Sequence, residues 1–150
     1  MRAKILNASA GSGKTYQLAY KYVRDVVEQP SIYRHILAVT FTNKATEEMK
    51  SRILKEIHLL ASGGESSYLE NLCRELDMDA ATVRRRAAEV RSKILHDYSR
   101  FTVLTIDTFF QRILRAFIKE LGIDLNYNVE IETASVLTKS ADTLIEQITT

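Results

Sequence analysis

Eight consecutive residues near the N-terminus combine glycines, a lysine and hydroxyl side chains at a spacing suited to binding phosphate. They are Ala8, Ser9, Ala10, Gly11, Ser12, Gly13, Lys14 and Thr15. Phosphate oxygens need many donors at short range, and Gly11 and Gly13 let backbone N–H groups approach without a Cβ in the way. In this P-loop pattern Lys14 reaches the β- and γ-phosphates and the Thr15 hydroxyl coordinates Mg²⁺. Ala8 stands where glycine is usual.

The segments on either side of this loop are predicted to be the strand and the helix that a P-loop requires. Residues 4–7 form a short apolar stretch that predicts a strand. After the loop, apolar residues recur at spacings of three and four up to Pro30, which predicts a helix: Leu18, Ala19, Tyr22, Val23, Val26 and Val27. A helix that starts at the loop adds its positive N-terminal end to the phosphate site. We therefore expect the chain to bind a nucleoside triphosphate, ATP, together with Mg²⁺.

A second group of polar residues follows the next apolar run. Residues 36–41 are continuously apolar or β-branched, which is typical of a parallel strand buried on both faces. Phe41, Thr42, Asn43 and Lys44 come next, at the expected junction of strand and helix. An exposed Phe can stack on a nucleobase, and Thr and Asn can bond to phosphate or sugar. The residues alone leave open a simpler interpretation, an apolar strand end followed by a helix cap.

The remaining pattern predicts helices with one more strand. Thr42 or Asn43 can cap a helix that ends at Gly63, and residues 101–106 predict a third strand before another amphipathic helix. The apolar stripes of these two helices are Ala45, Met49, Ile53, Ile57 and Leu60, and then Phe110, Ile113, Leu114, Phe117, Ile118 and Leu121. Residues 128–132 predict a short strand and residues 134–150 a helix. This order predicts one α/β domain with a parallel sheet flanked by helices.

Residues 65–99 are predicted to be a helical insertion. Ser67 with Glu70 fits a capping box, and Asp79 can cap the next helix. The second helix would turn Val83, Ala87, Val90 and Ile94 inward and Arg84, Arg85, Arg86, Arg91 and Lys93 outward. The arginines are either a contact for the DNA backbone or, more simply, a solvated helix face. Cys73 lies among leucines at helical spacing, which indicates a packed core thiol.

Composition adds weaker constraints. The formal net charge of +2 is too small to indicate a nucleic-acid partner by itself. The one cysteine excludes an internal disulfide, and there is no apolar run long enough for a signal peptide or a membrane span. These features favour a cytoplasmic protein that does not bind a membrane.

Three blocks together resemble motifs of UvrD/Rep-like superfamily 1 DNA helicases. Residues 8–15 resemble motif I, and Thr-Phe-Thr-Asn-Lys-Ala at 40–45, with Glu48-Met49 and Arg52-Ile53, resembles motif Ia. Residues 103–109, Val-Leu-Thr-Ile-Asp-Thr-Phe, resemble motif Ic. The Ala-Ser-Ala start and the long insertion are similar to the RecB/AddA branch, the helicase–nuclease subunits.

The resemblance implies the N-terminal part of a RecA-like motor domain that moves 3′ to 5′ along single-stranded DNA in repair and recombination. It implies that Gly13, Lys14 and Thr15 hold the phosphates and Mg²⁺. The residues implied to contact single-stranded DNA are Phe41, Thr42, Asn43, Thr105, Thr108 and Phe109. The implied partners are DNA ends and a second protein of a helicase–nuclease complex.

Two other hypotheses stay open. Residues 101–107 form an apolar strand that ends in an acid, so Asp107 could be the Walker B Mg²⁺ ligand of another P-loop enzyme. Motif Ic commonly has His at this position, and Asp107 could instead cap the following helix. The second hypothesis is a fragment that binds nucleotide and DNA without turnover. Hydrolysis needs further groups around the γ-phosphate, and the family's Walker B and later motifs are not in these 150 residues.

Overall fold

The computed structural model describes residues 13–120. The chain divides into two compact units, residues 1–110 and 111–150. The described elements are α1 (Lys14–Glu28), a 3₁₀ helix (Pro30–His35), β1 (Ala38–Thr40), α2 (Asn43–Ser62), α3 (Leu69–Leu76), α4 (Ala80–His96), a second 3₁₀ helix (Tyr98–Arg100), β2 (Val103–Thr105) and α5 (Ile106–Glu120). The strand expected at 4–7, the strand at 128–132 and the helix at 134–150 lie outside the described residues.

The two described strands are parallel neighbours. Ala38 pairs with Val103, Val39 with Leu104 and Thr40 with Thr105. A parallel pair needs a crossover connection, and here the crossover consists of α2, α3 and α4. Within the part of the chain that the structure describes, this confirms a helix-rich α/β fold with a small parallel sheet. Residues 65–99, predicted to be a helical insertion, contain α3 and α4, and we keep the name insertion for them.

The core of the first unit is mostly helical. Ala19, Tyr22, Val23, Val26 and Val27 of α1 are buried, as the spacing predicted, whereas Leu18 is 44% exposed. The other helices contribute the predicted buried positions Met49, Ile53, Ile57 and Leu60 of α2 and Val83, Ala87, Val90 and Ile94 of α4. Cys73 is half-buried against this core, as expected of a packed thiol.

The expectation that the second strand is buried on both faces is wrong for the described structure. Leu37 and Val39 are each 42% exposed. Together with Leu18 and Tyr22 they line a shallow, mostly apolar cavity of about 290 Å³. Only the Ala38 and Thr40 side of the strand turns inward, because successive side chains of a strand point to opposite faces.

Local capping chemistry sets the ends of two helices as predicted. The Ala45 N–H donates to Thr42 Oγ1 (3.1 Å) at the start of α2, and Gly63 ends that helix with φ 79°. The Thr82 N–H donates to Asp79 Oδ1 (3.2 Å) at the start of α4. The Thr82 side chain, followed by this N–H, lowers the pKa of Asp79, which favours the ionised carboxylate as the cap.

The capping box predicted at Ser67 and Glu70 is wrong. The helix begins at Leu69, one residue later than such a box requires, and Tyr68 is its N-cap without a side-chain bond. The neighbouring Ser66 holds the residue before the helix instead, since its Oγ accepts the Tyr68 N–H (3.2 Å) and donates to Glu56 Oε2 (2.6 Å). Ser66 thus connects the start of α3 to α2.

The basic face of α4 is only partly solvated, which corrects the interpretation of the arginines as a simple solvated helix face. The interpretation as a DNA contact stays a prediction. Arg86 donates to the backbone carbonyls of Val27 and Glu28 at the end of α1. Lys93 Nζ donates to Ser31 Oγ (2.9 Å) and pairs with Glu89 (2.8 Å). Part of this basic face therefore joins the insertion to the first helix.

Within residues 13–120, no helix is long and apolar enough to cross a membrane.

Candidate nucleotide and DNA site

The end of the predicted P-loop is where α1 begins. Gly13 has φ 74° and its carbonyl accepts the Gln17 N–H (2.9 Å), the first bond of the helix. No atom of the described residues lies within 4 Å of where a Cβ would stand, and the left-handed backbone is a conformation that favours glycine. Ala8, Ser9, Ala10, Gly11 and Ser12 lie outside the described residues.

The first turn of α1 suits an anion. Gly13 has no side chain to cap the turn, and the turn contains no acidic residue. The first N–H groups of a helix lack intrahelical partners and sit at the positive end of the helix dipole. Lys14 is the first residue of α1, and Thr15, which follows it, is half-buried.

The other predicted site residues follow the ends of the two strands. Phe41, Thr42 and Asn43 come directly after β1, whereas Thr105 ends β2. Because Thr40 and Thr105 are register partners, both segments leave the sheet at its carboxyl edge, where ligands of α/β sheets bind. The structure thus brings the two predicted DNA-contact segments to one edge.

A small hydroxyl network holds the turn after β1. Thr40 Oγ1 and Thr46 Oγ1 lie 2.6 Å apart, and each is within hydrogen-bonding distance of the Thr42 carbonyl, at 3.2 and 3.1 Å. Thr46 is buried, so the network is partly shielded from water. The turn is thereby fixed while the Phe41 ring is left 87% exposed. An exposed aromatic ring on a backbone turn that is held in place is suited to stacking on a base.

The segment after β2 uses its hydroxyls differently. Thr105 Oγ1 accepts the Thr108 N–H (3.2 Å) and lies 2.8 Å from Thr108 Oγ1. Thr105 is therefore the cap of α5, and the prediction that Asp107 caps this helix is wrong. Asp107 is exposed in the first turn, and Phe109 is half-buried with its ring 5.7 Å from that of Phe110. Phe41, Thr42 and Asn43 are thus more accessible to a ligand than Thr105.

A metal site made only of protein side chains was not found in the described part of the chain. Residues 13–120 hold no group of three or more His, Cys, Asp or Glu side chains that could bind an ion. A Mg²⁺ ion held by the Thr15 hydroxyl and by phosphate oxygens would not need such a group, because Mg²⁺ is commonly bound through substrate phosphates and few protein ligands.

Sequence reasoning missed a cavity beside the start of α1. Its volume is about 540 Å³, and it is lined by Tyr16, Glu47, Glu48, Ser51, Arg52, Lys55, Glu56 and Tyr68. Tyr68 belongs to the insertion, so no local pattern connects it with Tyr16. Burial, with a contribution from the Glu56 charge, raises the pKa of Tyr68 to about 12, so its hydroxyl stays protonated.

These features define a helix-rich α/β protein whose polar candidate residues gather at a helix start and at one edge of a parallel strand pair. The family model of the UvrD/REP helicase N-terminal domain matches residues 2–150. The chain therefore belongs to the UvrD/REP helicase N-terminal domain family, as the three motifs indicated.

Similar proteins are components of helicase–nuclease enzymes. The chain is 28% identical to RecBCD enzyme subunit RecB of Haemophilus influenzae, covering 92% of this chain and 13% of that protein. It is 28% identical to an ATP-dependent helicase/nuclease subunit of Lactobacillus delbrueckii, over 88% of this chain and 9% of that protein. The chain is 29% identical to RecBCD enzyme subunit RecB of Escherichia coli, and the match covers 80% of this chain and 11% of that protein. The chain thus spans about a tenth of the length of these relatives, and no solved structure gave a significant match.

Proposed function

We propose that the chain is the ATP-binding part of the first motor domain of a DNA helicase that moves 3′ to 5′ along single-stranded DNA. The observation that carries this proposal is the shared carboxyl edge of β1 and β2, which unites the Phe41 turn and the start of α5. The family and the names of the relatives, which describe ATP-dependent helicase/nuclease subunits, support the same function.

In this proposal residues 8–15 cradle the phosphates of ATP, and the domain has a RecA-like fold. Gly13 turns the chain so that the first N–H groups of α1 face the phosphates, Lys14 neutralises their charge, and Thr15 coordinates Mg²⁺. The left-handed Gly13 and the first turn without acidic residues support this assignment.

The strand ends bind the DNA in this proposal. Phe41 stacks on a base, and Thr42 and Asn43 bond to the sugar–phosphate backbone. Thr108 and Phe109 contribute from the neighbouring strand end, while Thr105 acts mainly by holding the start of α5. Within a helicase–nuclease enzyme, the domain would act on DNA ends in repair and recombination beside a partner subunit.

The proposal separates binding from turnover. The arginines that stabilise the transition state and the Asp-Glu pair that aligns water are absent from these 150 residues. We therefore propose that the 150-residue chain binds nucleotide weakly and hydrolyses little ATP by itself. DNA-stimulated hydrolysis by the purified chain at a helicase-like rate would contradict this part of the proposal.

The decisive experiment is MgATP binding by the wild type and by Lys14→Ala, with and without oligo-dT. Lys14→Ala should weaken binding at least about tenfold, since a charge-assisted contact to phosphate is lost. Lys21→Ala, in the same helix but two turns further on, is the matched control and should bind as the wild type does. Equal affinity of the wild type and Lys14→Ala would overturn the assignment of the phosphate site.

A further inference from the structure

The helical insertion reaches the first turn of α1 through one buried tyrosine. Tyr68 is fully buried, and its ring packs edge-to-face on Tyr16 at 5.0 Å and on Tyr20 at 5.2 Å. Its hydroxyl donates a long bond to the Tyr16 carbonyl (3.4 Å), and the Tyr16 hydroxyl bonds to Ser67 Oγ (3.4 Å). Both polar contacts are weak, so the two ring contacts dominate.

Tyr68 is itself held from the other side. Its N–H donates to Ser66 Oγ, which in turn donates to Glu56 Oε2 on α2. The Tyr68 backbone is therefore connected to α2 through Ser66 and Glu56. The buried Tyr68 ring packs against Tyr16 in the first turn of α1. Tyr16 directly follows Thr15, so the ring contact is one residue from the residues assigned to phosphate and Mg²⁺.

A second contact of the insertion lies at the opposite end of the same helix. Arg86 binds the carbonyls of Val27 and Glu28, in the last turn of α1. In the middle, Arg24 pairs with Glu75 of α3 (3.3 Å). The insertion therefore contacts α1 near its start, at Arg24 and at its end. The contacts of Tyr68 and of Arg86 lie at opposite ends of the helix, so each can be removed by a separate substitution.

We propose that Tyr68 is a positioning residue for the phosphate site, acting through Tyr16 on the first turn of α1. This inference rests on the proposed function. The first N–H groups of α1 and the Thr15 hydroxyl can bind phosphate and Mg²⁺ together only when they point at the same place. Small displacements of such groups lower the affinity. Arg86, by contrast, stabilises the fold without affecting the site.

The test measures the Kd for MgATP and the melting temperature of Tyr68→Leu, Tyr68→Phe and Arg86→Met in the full chain. Tyr68→Leu should raise Kd about tenfold, because the first turn loses its aromatic support. Tyr68→Phe keeps both ring contacts and should restore the affinity to within about twofold. Arg86→Met should lower the melting temperature and leave Kd unchanged. Amide exchange of Gln17 and Leu18 should quicken in Tyr68→Leu alone.

A folded Tyr68→Leu protein with wild-type Kd and wild-type exchange would overturn the inference, as would Arg86→Met raising Kd equally. If Tyr68→Leu does not fold, Tyr16→Leu removes the same contact from a more exposed side chain, and an unchanged Kd in that variant would overturn it. Absence of MgATP binding by the wild type would refute the proposed function instead. The exchange measurement needs no nucleotide, so it still shows whether Tyr68 holds the turn.

Discussion

Thr40 and Thr105 are register partners at the last residues of two parallel strands. Their hydroxyls serve different structures: Thr40 bonds within the turn that exposes Phe41, and Thr105 caps α5. The pairing brings two segments more than sixty residues apart in sequence to one edge of the sheet. This relationship underlies the DNA-binding part of the proposal.

Gly13→Ala should lower both the free energy of unfolding and the affinity for nucleotide. An Ala at φ 74° is strained by roughly 1 kcal/mol, and the turn that directs the first N–H groups would shift. Gly63→Ala is the control, since Gly63 has φ 79° at the end of α2, and its added Cβ would also stand 3.1 Å from Arg84 Nη1. Chemical unfolding should show at least as large a loss of stability for Gly63→Ala as for Gly13→Ala, and titration with MgATP should show weakened binding only for Gly13→Ala.

Phe41→Ala should weaken binding of oligo-dT by roughly 5- to 100-fold without lowering stability, because the exposed ring contributes stacking but almost no core packing. Leu95→Ala, which removes a 71% exposed apolar side chain of α4, is the control for nonspecific loss of apolar surface. Fluorescence anisotropy with labelled oligo-dT measures the effect. Equal affinities of Phe41→Ala and the wild type would argue against a base-stacking role.

Asp107→Ala should leave Mg²⁺-dependent nucleotide affinity within about twofold of the wild type, because a single exposed carboxylate in a helix turn is a poor Mg²⁺ ligand. Isothermal titration with ATP in the presence and absence of Mg²⁺ measures this directly. A large loss confined to the Mg²⁺ condition would favour the alternative in which Asp107 is a Walker B acid.

The two neighbouring arginines of α4 should behave differently. Arg86→Met should destabilise the fold by about 1–3 kcal/mol, since two carbonyls at the end of α1 lose a charged donor. Arg85→Glu, at an exposed position, should leave stability nearly unchanged. We expect the slope of log DNA affinity against log salt concentration to be the same for Arg85→Glu and the wild type. A shallower slope in Arg85→Glu would show that Arg85 contacts the DNA backbone.

Local signals predicted much of the helical structure. The buried stripes of α1, α2 and α4 follow from apolar spacing, because a helix presents every third or fourth residue on one face. The caps at Thr42 and Asp79 follow from short side chains that reach N–H groups within the next turn. These features depend only on residues within a few positions of each other.

Three of the wrong predictions share one physical cause. Ser66 rather than Ser67 makes the local bond, with its partner Glu56 on α2, and Arg86 bonds the carbonyls of α1 because α4 packs beside that helix. Thr105 took the cap that was expected of Asp107 because α5 begins immediately at the end of β2. In each case more than one side chain near in sequence could form the hydrogen bond. The one that does so depends on which groups the fold places beside it.

The sequence by itself determined the type of each described α-helix and strand and indicated the family, because periodicity, capping and motif spacing are local properties of the chain. It also supplied the candidate residues for phosphate and DNA binding, whose roles stay predictions. Only the tertiary structure decided which residues meet: that Thr40 pairs with Thr105, that the Phe41 ring remains exposed on a hydroxyl-bonded turn, and that Tyr68 packs on Tyr16. Such contacts depend on strand register and helix packing across tens of residues, which no local pattern specifies.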